Sequence, residues 1–158
     1  IQDTFTPVVE EKLAVYGTEL AGHTVLPDDP DRLTREIHRA VKELGADLVI
    51  CTGGMSVDPD DKTPLAIRNT GADVISYGAP VLPGAMFLLA YYENAGRRIP
   101  VLGLPGCVMY AKRTIFDLVL PMLMADVEIN AGQLADYGEG GLCLSCEVCT
   151  YPNCGFGK

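Results

Sequence analysis

A short apolar run, ADLVICT at residues 46–52, restricts the fold of this chain more than any other feature. It is rich in β-branched residues and lacks the polar alternation of a strand with one face in water. This pattern indicates a strand that is buried on both faces of its sheet. Such a strand needs helices packed on both sides, so the run predicts an α/β fold.

Two units of helix followed by strand are visible in the first third of the chain. Asp29 and Pro30 form a typical N-cap and first-turn pair, and Gly45 can end the helix that precedes ADLVICT. Asp3 can cap an earlier helix, and ELAGHTVLP at residues 19–27 predicts a strand. The repetition of this unit predicts a mostly parallel sheet.

The middle of the chain predicts further helices and strands. Thr63 and Pro64 have the character of an N-cap and first-turn pair that opens a short helix, and ADVISY predicts the next strand. AMFLLAYYE and RIPVLGL flank the turn-like NAG, so they predict a pair of strands. A last helix is expected after LPGC, and Pro121 should bend or end it.

The composition changes after Met124. Residues 125–142 are acidic and glycine-rich, and residues 143–158 hold four of the six cysteines. We therefore predict an α/β domain over residues 1–124, a linker over 125–142 and a Cys-rich tail over 143–158. The first residue is not Met, and we expect that the original N-terminus is absent.

The composition also excludes several classes of partner. Acidic residues outnumber basic ones by 21 to 12, for a net charge of −9, whereas phosphate backbones are bound by clustered Lys and Arg. Nucleic acid is therefore not an expected partner. No apolar segment is long and uncharged enough to span a bilayer, so no membrane partner is expected. Cys51 and Cys107 lie in apolar contexts typical of reduced intracellular proteins, which predicts a cytoplasmic location.

The four cysteines of the tail are spaced as metal ligands often are. Cys143, Cys146, Cys149 and Cys154 follow the pattern C-x2-C-x2-C-x4-C. Two overlapping C-x2-C units favour one metal centre over disulfides, and both Zn²⁺ and an iron–sulfur cluster suit such thiolates. A disordered, reduced tail is the alternative.

The loop TGGMSVDPDD leaves the carboxyl end of the buried strand, where open α/β sheets bind their ligands. Gly53 and Gly54 allow the backbone to approach a ligand closely, and Thr52 and Ser56 offer hydroxyl groups. This arrangement predicts a site for a small, phosphorylated ligand. A solvated turn rich in Gly, Asp and Pro is the alternative.

Carboxylates surround this loop. Asp58, Asp60 and Asp61 are hard oxygen donors suited to a hydrated Mg²⁺ that would hold phosphate oxygens. Asp28 follows a predicted strand at the same sheet edge, whereas Asp29 is explained as a helix cap. GLPGC at residues 103–107 predicts a strand-to-helix turn that would aim backbone N–H groups at an anion. A tight turn made by Pro and Gly without a ligand explains this motif equally well.

Three motifs together resemble a known family. TGGMSVDPDDKTP, VLPGAM and VLGLPGCVMYAKRTIFDLVLPML, in that order, resemble the molybdopterin-binding domain family, and the resemblance runs from about Asp3 to Met124. It implies a three-layer α/β/α fold with a mostly parallel sheet, and a homodimer or homotrimer. The family's first strand has no counterpart here, which implies a truncated version of a longer protein.

The resemblance also implies a ligand and site residues. The ligand would be molybdopterin, bound during molybdenum or tungsten cofactor biosynthesis, with Mg²⁺ and ATP where the pterin is adenylylated. The pterin and phosphate site would be lined by Thr52, Gly53, Gly54 and Ser56, and the second ligand loop would be shaped by Pro105 and Gly106. The catalytic carboxylates would be Asp28 and Asp61.

Three functions remain open on these residues. The first is a nucleotidyl- or metal-transfer enzyme of cofactor assembly. The second is a carrier or sensor without catalysis, whose Cys tail responds to redox state or metal; Leu82 and Ala85 stand where the family's molybdotransferases carry lysines, which favours this alternative. The third is a nucleotide pyrophosphatase of the competence-damage type, which shares the Thr-Gly-Gly loop.

Overall fold

The computed structural model describes residues 3–158; residues 1 and 2, the first two of the predicted domain 1–124, lie outside the described residues. The helices are α1 (Phe5–Ala14), α2 (Pro30–Lys42), α3 (Thr63–Asn69), α4 (Ile115–Met124) and α5 (Ala131–Asp136). The strands are β1 (Val49–Thr52), β2 (Asp73–Tyr77), β3 (Leu88–Asn94) and β4 (Arg97–Leu104). Short 3-10 turns span Gly106–Met109 and Tyr137–Gly140. Among residues 3–158, no helix is both long enough and apolar enough to cross a membrane.

The four strands form one sheet in the order β1-β4-β3-β2. β1 runs parallel to β4, but β3 is antiparallel to both β4 and β2. The prediction of a mostly parallel sheet is therefore wrong for the described strands. The reason is the NAG turn: a two-residue connection between Asn94 and Arg97 can only join antiparallel neighbours. Ala95 and Gly96 both have positive φ, 51° and 79°, as a tight hairpin of this kind requires.

Helices cover both faces of the sheet, as a three-layer α/β/α fold requires. On β3, Leu89 and Tyr91 face a cluster that includes residues of α1 and α4, whereas Leu88 and Ala90 face one that includes residues of α2 and α3. β4 divides in the same way between its even- and odd-numbered residues. For the ADLVICT strand itself, predicted to be buried on both faces, Val49 is buried on one face, Ile50 is half-buried on the other and Thr52 is exposed.

The strand predicted at residues 19–27 is not formed. This segment contacts both α1 and α2: His23 Nε2 lies 3.1 Å from Thr6 Oγ1, and the Thr24 hydroxyl donates to Glu36 Oε1 at 2.8 Å. Residues 18–26 and β1 both contribute to the lining of a cavity of about 1390 Å³. A strand exists only where its backbone groups meet a partner, and within residues 3–158 no backbone hydrogen bond joins residues 18–26 to β1. The sequence pattern was thus typical of a strand, but it could not supply the neighbour.

The predicted linker at residues 125–142 is part of the core. Ile129 and Leu134 are fully or almost fully buried against the α1/α4 face of the sheet. The Ile129 amide donates to the Tyr91 hydroxyl at 2.8 Å, and Asn130 caps α5. The acidic residues that suggested a linker lie on the exposed side of this segment.

The helix caps follow the sequence closely at most positions. Asp29 Oδ1 accepts the Arg32 N–H at 2.9 Å, and Asp3 Oδ1 accepts the N–H groups of Phe5 and Thr6 at the start of α1. Thr63, in contrast, lies inside α3 rather than capping it. Pro121 lies within α4, which continues to Met124 instead of ending at the proline.

Asp117 joins three parts of the structure. It lies in the first turn of α4, where Oδ2 accepts the Thr114 N–H at 2.8 Å and completes a capping box. Its Oδ1 accepts hydrogen bonds from Lys12 Nζ of α1 at 2.6 Å and from Arg113 Nη1 at 2.9 Å. The side chain is only 5% exposed, so solvent cannot replace these contacts.

We expect Asp117→Asn to lower the free energy of unfolding by about 3 kcal/mol, because it leaves two cations beside a buried neutral group. Asp47→Asn is the matched control: Asp47 pairs with Arg97 at 2.9 Å, but both side chains are largely exposed. Its loss should stay below about 1 kcal/mol. Urea unfolding of both variants measures the difference, and equal losses would contradict the structural role given to Asp117.

Candidate ligand-binding site

Three loops meet at one edge of the sheet. Thr52, the last residue of β1, is paired with Leu104, the last residue of β4. On the other side, Tyr77 ends β2 opposite Leu88, which is in turn opposite Gly103. The loops that follow β1, β2 and β4 therefore leave the sheet side by side. Two of them were predicted to share this edge, and the structure brings both there.

The glycine pair after β1 makes a tight turn. Gly53 and Gly54 both have positive φ, 76° and 55°, a conformation that costs little only for glycine. Thr63 Oγ1 donates to the Gly53 carbonyl at 2.8 Å and so ties the turn to the start of α3. A methyl group added at Gly54 would lie 2.9 Å from Thr63 Oγ1 and 3.5 Å from Asp28 Oδ1. The carboxylate of Asp28 is thus placed against the glycine turn.

Asp61 closes the loop on itself. Its Oδ2 accepts both the backbone N–H of Ser56, at 2.5 Å, and the Ser56 hydroxyl, at 2.7 Å. The Ser56 hydroxyl is therefore already engaged by Asp61, while Asp61 Oδ1 has no such contact with Ser56. Of the two carboxylates predicted from the sequence, Asp61 is hydrogen-bonded to Ser56 of the turn, and Asp28 lies close to Gly54 without a hydrogen bond to the turn.

The other two acidic residues of the loop have structural roles. Asp58 Oδ1 accepts the Asp60 N–H at 2.9 Å, and the Asp58 carbonyl accepts the Asp61 N–H at 3.1 Å. These are the hydrogen bonds of a turn built by an aspartate on its own backbone. The Asp60 side chain is 98% exposed. For these two residues the alternative of a solvated Asp-rich turn describes the structure well.

Two residues that the sequence did not single out hold the loop in place. The Met55 side chain is buried, and its thioether lies so close to Gly103 of β4 that a Cβ there would approach it to 2.6 Å. The Tyr77 hydroxyl donates to the Ser56 carbonyl at 3.4 Å. Burial and the nearby Asp61 carboxylate raise the pKa of Tyr77, so the phenol keeps its proton at neutral pH. Tyr77 could have been identified from the sequence, because it is the last residue of the predicted strand ADVISY and so lies at the edge where the ligand loops begin.

The loop after β4 forms the second wall of the site. Pro105 is buried, Gly106 is exposed, and a single 3-10 turn follows them. Because this turn is too short to have a strong dipole, it contributes backbone N–H groups rather than a helix field. Burial raises the pKa of the neighbouring Cys107, which keeps that thiol protonated.

The loop after β2 lies beyond Tyr77. Gly84 is packed so closely on α4 that a Cβ there would approach Ile115 Cγ2 to 2.4 Å, and the Pro83 carbonyl accepts the Ile115 N–H at 3.1 Å. This loop therefore has one fixed point on α4. Leu82, at its tip, is 55% exposed.

The four tail cysteines are not gathered around one point. Across residues 3–158, no three side chains of His, Cys, Asp or Glu converge closely enough to hold a metal ion. Cys143 and Cys154 pack partly against the core, whereas Cys146 and Cys149 are exposed. Zn²⁺ or an iron–sulfur cluster in this tail stays a prediction from the cysteine spacing.

Comparison with known proteins places this geometry in a family. The profile of the family described as "Probable molybdopterin binding domain" matches residues 1–125. The chain belongs to this family. The match contains all three loops of the sheet edge and ends before α5, so the C-terminal part of the core lies outside it.

Relatives with two different names match this molybdopterin-binding domain. A competence-damage inducible protein of Bacillus cereus, a provisional designation, is 33% identical over 97 residues, which are 61% of this chain and 22% of that protein. A molybdopterin molybdenumtransferase of Synechococcus elongatus is 29% identical over 126 residues, 79% of this chain and 30% of that protein. The chain thus spans less than a third of the length of these relatives.

A solved structure shares the fold. The crystal structure of the molybdopterin biosynthesis enzyme MoaB from Thermus thermophilus superposes with a TM-score of 0.59 at 22% identity, covering 84% of this chain and 87% of that one. The molybdopterin-binding fold predicted from three motifs is confirmed.

Gly54→Ala should lower the free energy of unfolding by about 2–3 kcal/mol, because it combines a strained φ with a contact against Thr63. Gly71→Ala is the control: Gly71 also has positive φ, 82°, but a Cβ there would meet nothing. Strain alone should cost about 1 kcal/mol at that position. Urea unfolding compares the two, and a loss at Gly71 as large as at Gly54 would remove the argument for a tight turn.

We also expect the thiols to react in a defined order. The Tyr151 N–H and the Arg113 guanidinium lower the pKa of the exposed Cys149, whereas burial raises the pKa of Cys51 to about 12. Since the thiolate is the nucleophile, Cys149 should be alkylated by iodoacetamide near neutral pH well before Cys51. Mass mapping of the labelled peptides measures the order, and early labelling of Cys51 would show that β1 is not packed as described.

Proposed function

We propose that this domain binds molybdopterin at the sheet edge formed by the three loops and acts in molybdenum or tungsten cofactor biosynthesis. The observation that carries the proposal is the glycine turn Gly53–Gly54 with the Asp28 carboxylate close to Gly54 and the Asp61–Ser56 pair in the same loop. The family membership and the relative named for molybdopterin molybdenum transfer support the same ligand.

The turn after β1 carries hydrogen-bond donors for a phosphate group, although few cationic side chains lie in the loop. Gly53 is exposed and Gly54 half-buried, so their backbone N–H groups would be the donors to the phosphate, and Thr52 at the end of β1 adds a hydroxyl on an exposed residue. Gly106 leaves the backbone of the second loop open to the pterin. These dipoles would hold the phosphate, and Lys62, which precedes α3 beside Asp61, is the cation nearest to the loop in the sequence.

The two carboxylates near the turn have the oxygen chemistry of Mg²⁺ ligands, and phosphate oxygens and water would fill the other positions of such an ion. Asp28 and Asp61 would be its protein ligands, and the ion would neutralise phosphate charge. In an adenylylating enzyme, a pterin phosphate oxygen would attack the α-phosphorus of ATP and pyrophosphate would leave. The chain's own residues would orient the phosphate and limit its motion.

The test is a calorimetric titration of molybdopterin into the protein, with and without Mg-ATP, followed by assay for adenylylated pterin. Asp28→Asn and Asp61→Asn should each lower product formation at least about tenfold, because each removes a charge beside the phosphate. Asp60→Asn, in the same loop but fully solvated, is the matched control and should behave as the unaltered protein.

The outcomes separate the alternatives. Binding with product identifies a transfer enzyme, whereas binding without product identifies a carrier or sensor. No binding of molybdopterin to the unaltered protein would overturn the proposal. Assembly as a homodimer or homotrimer and a cytoplasmic location stay predictions.

A nucleotide pyrophosphatase is the second candidate, favoured by the competence-damage inducible relative. It would use the same turn for the two phosphates of a dinucleotide. Hydrolysis of dinucleotides without any pterin, abolished in Asp61→Asn but retained in Asp60→Asn, would support this function over the first.

A further inference from the structure

The C-terminal segment, residues 137–157, lies outside the family match but is built into the molecule. We call it the clamp segment. Phe156 is buried among the core residues, and the Tyr151 hydroxyl donates to the Asp117 carbonyl of α4 at 3.0 Å. Gly157 N donates to the Gly140 carbonyl at 2.6 Å, so the end of the segment is fastened to its beginning.

The clamp segment is hydrogen-bonded to the loop after β2, one of the three loops at the ligand-binding edge. Leu82 N donates to the Gly141 carbonyl at 2.6 Å, and Cys143 N donates to the Leu82 carbonyl at 2.8 Å. These two bonds form a parallel bridge between Leu82 and Leu142. Both backbone groups of Leu82, its N–H and its C=O, are thereby hydrogen-bonded to the clamp segment.

Glycines make this approach possible. A Cβ at Gly141 would lie 2.1 Å from the Pro80 carbonyl oxygen, and a Cβ at Gly138 would lie 3.1 Å from Pro80 Cγ. Because the first of these contacts is with backbone, no side-chain adjustment can relieve it. The glycine-rich composition that suggested a linker is therefore the means of close packing against residues 80–82.

We propose that the clamp segment is a positioning element of the ligand site, which sets the place of the loop at residues 79–85. The proposal rests on the proposed function. The loop begins two residues after Tyr77, whose hydroxyl contacts the glycine-turn loop at Ser56, and Pro83 near its end accepts the Ile115 N–H of α4. The two backbone bonds from the clamp segment add to these contacts and hold Leu82, the exposed residue of the loop, from the other side.

Gly141→Ala tests this role, because the added methyl must push the clamp segment away from Pro80. Gly155→Ala is the matched control in the same segment, where a Cβ would meet nothing. Gly138→Ala exerts a milder push on Pro80 and replaces Gly141→Ala if that variant does not fold. Hydrogen exchange of the ligand-free proteins, melting temperature and the Kd for molybdopterin are measured on each, with Kd taken well below every melting transition.

We expect faster exchange of the Leu82 and Cys143 amides in Gly141→Ala and a Kd raised about tenfold, with Gly155→Ala unchanged in both. A merely structural segment would lower the melting temperature and leave Kd as it was, so an unchanged Kd overturns the positioning role alone. Unchanged exchange at Leu82 also overturns it. If the unaltered protein binds no molybdopterin, the proposed function fails and the positioning role fails with it.

Discussion

The parallel pairing of β1 with β4 is the interaction on which the rest of the structure depends. It places Thr52 beside Leu104, so the turns that follow them begin at the same level. It also puts Gly103 under Met55, and this contact anchors the loop that carries Ser56 and Asp61. The site is thus assembled by strand register, and the loops contribute chemistry to an edge that already exists.

Burial and loop chemistry were predictable from the sequence because each has a local cause. The ADLVICT run predicts a strand between two helical layers, and Asp29 predicts the start of a helix. Two adjacent glycines predict a turn with positive φ. The relative direction of the strands was harder to predict from the sequence. The NAG turn predicts an antiparallel hairpin of β3 and β4. The two helix–strand units nearer the N-terminus predict parallel strands, and the prediction of a mostly parallel sheet followed them.

The sequence was least informative about long-range partners. ELAGHTVLP has the composition of a strand, but strand formation depends on a neighbour that no local pattern can supply. The glycines after Ala125 are equally compatible with a free linker and with close packing. They pack closely because Pro80, distant in the sequence, lies against Gly138 and Gly141. In the site, Asp61 was predicted as a ligand without its bond to Ser56, because that bond exists only once the turn has formed.

Within residues 3–158, β1 is an edge strand that pairs only with β4, as β2 at the opposite edge pairs only with β3. The strand that ends in the glycine turn is therefore held by backbone hydrogen bonds from one side. Its outward N–H and C=O groups meet no partner strand among the described residues, and β1 also contributes to the lining of the large cavity. Hydrogen bonds added along the outer edge of β1 at residues 49–51 would stiffen the strand that carries the glycine turn without contacting the turn itself.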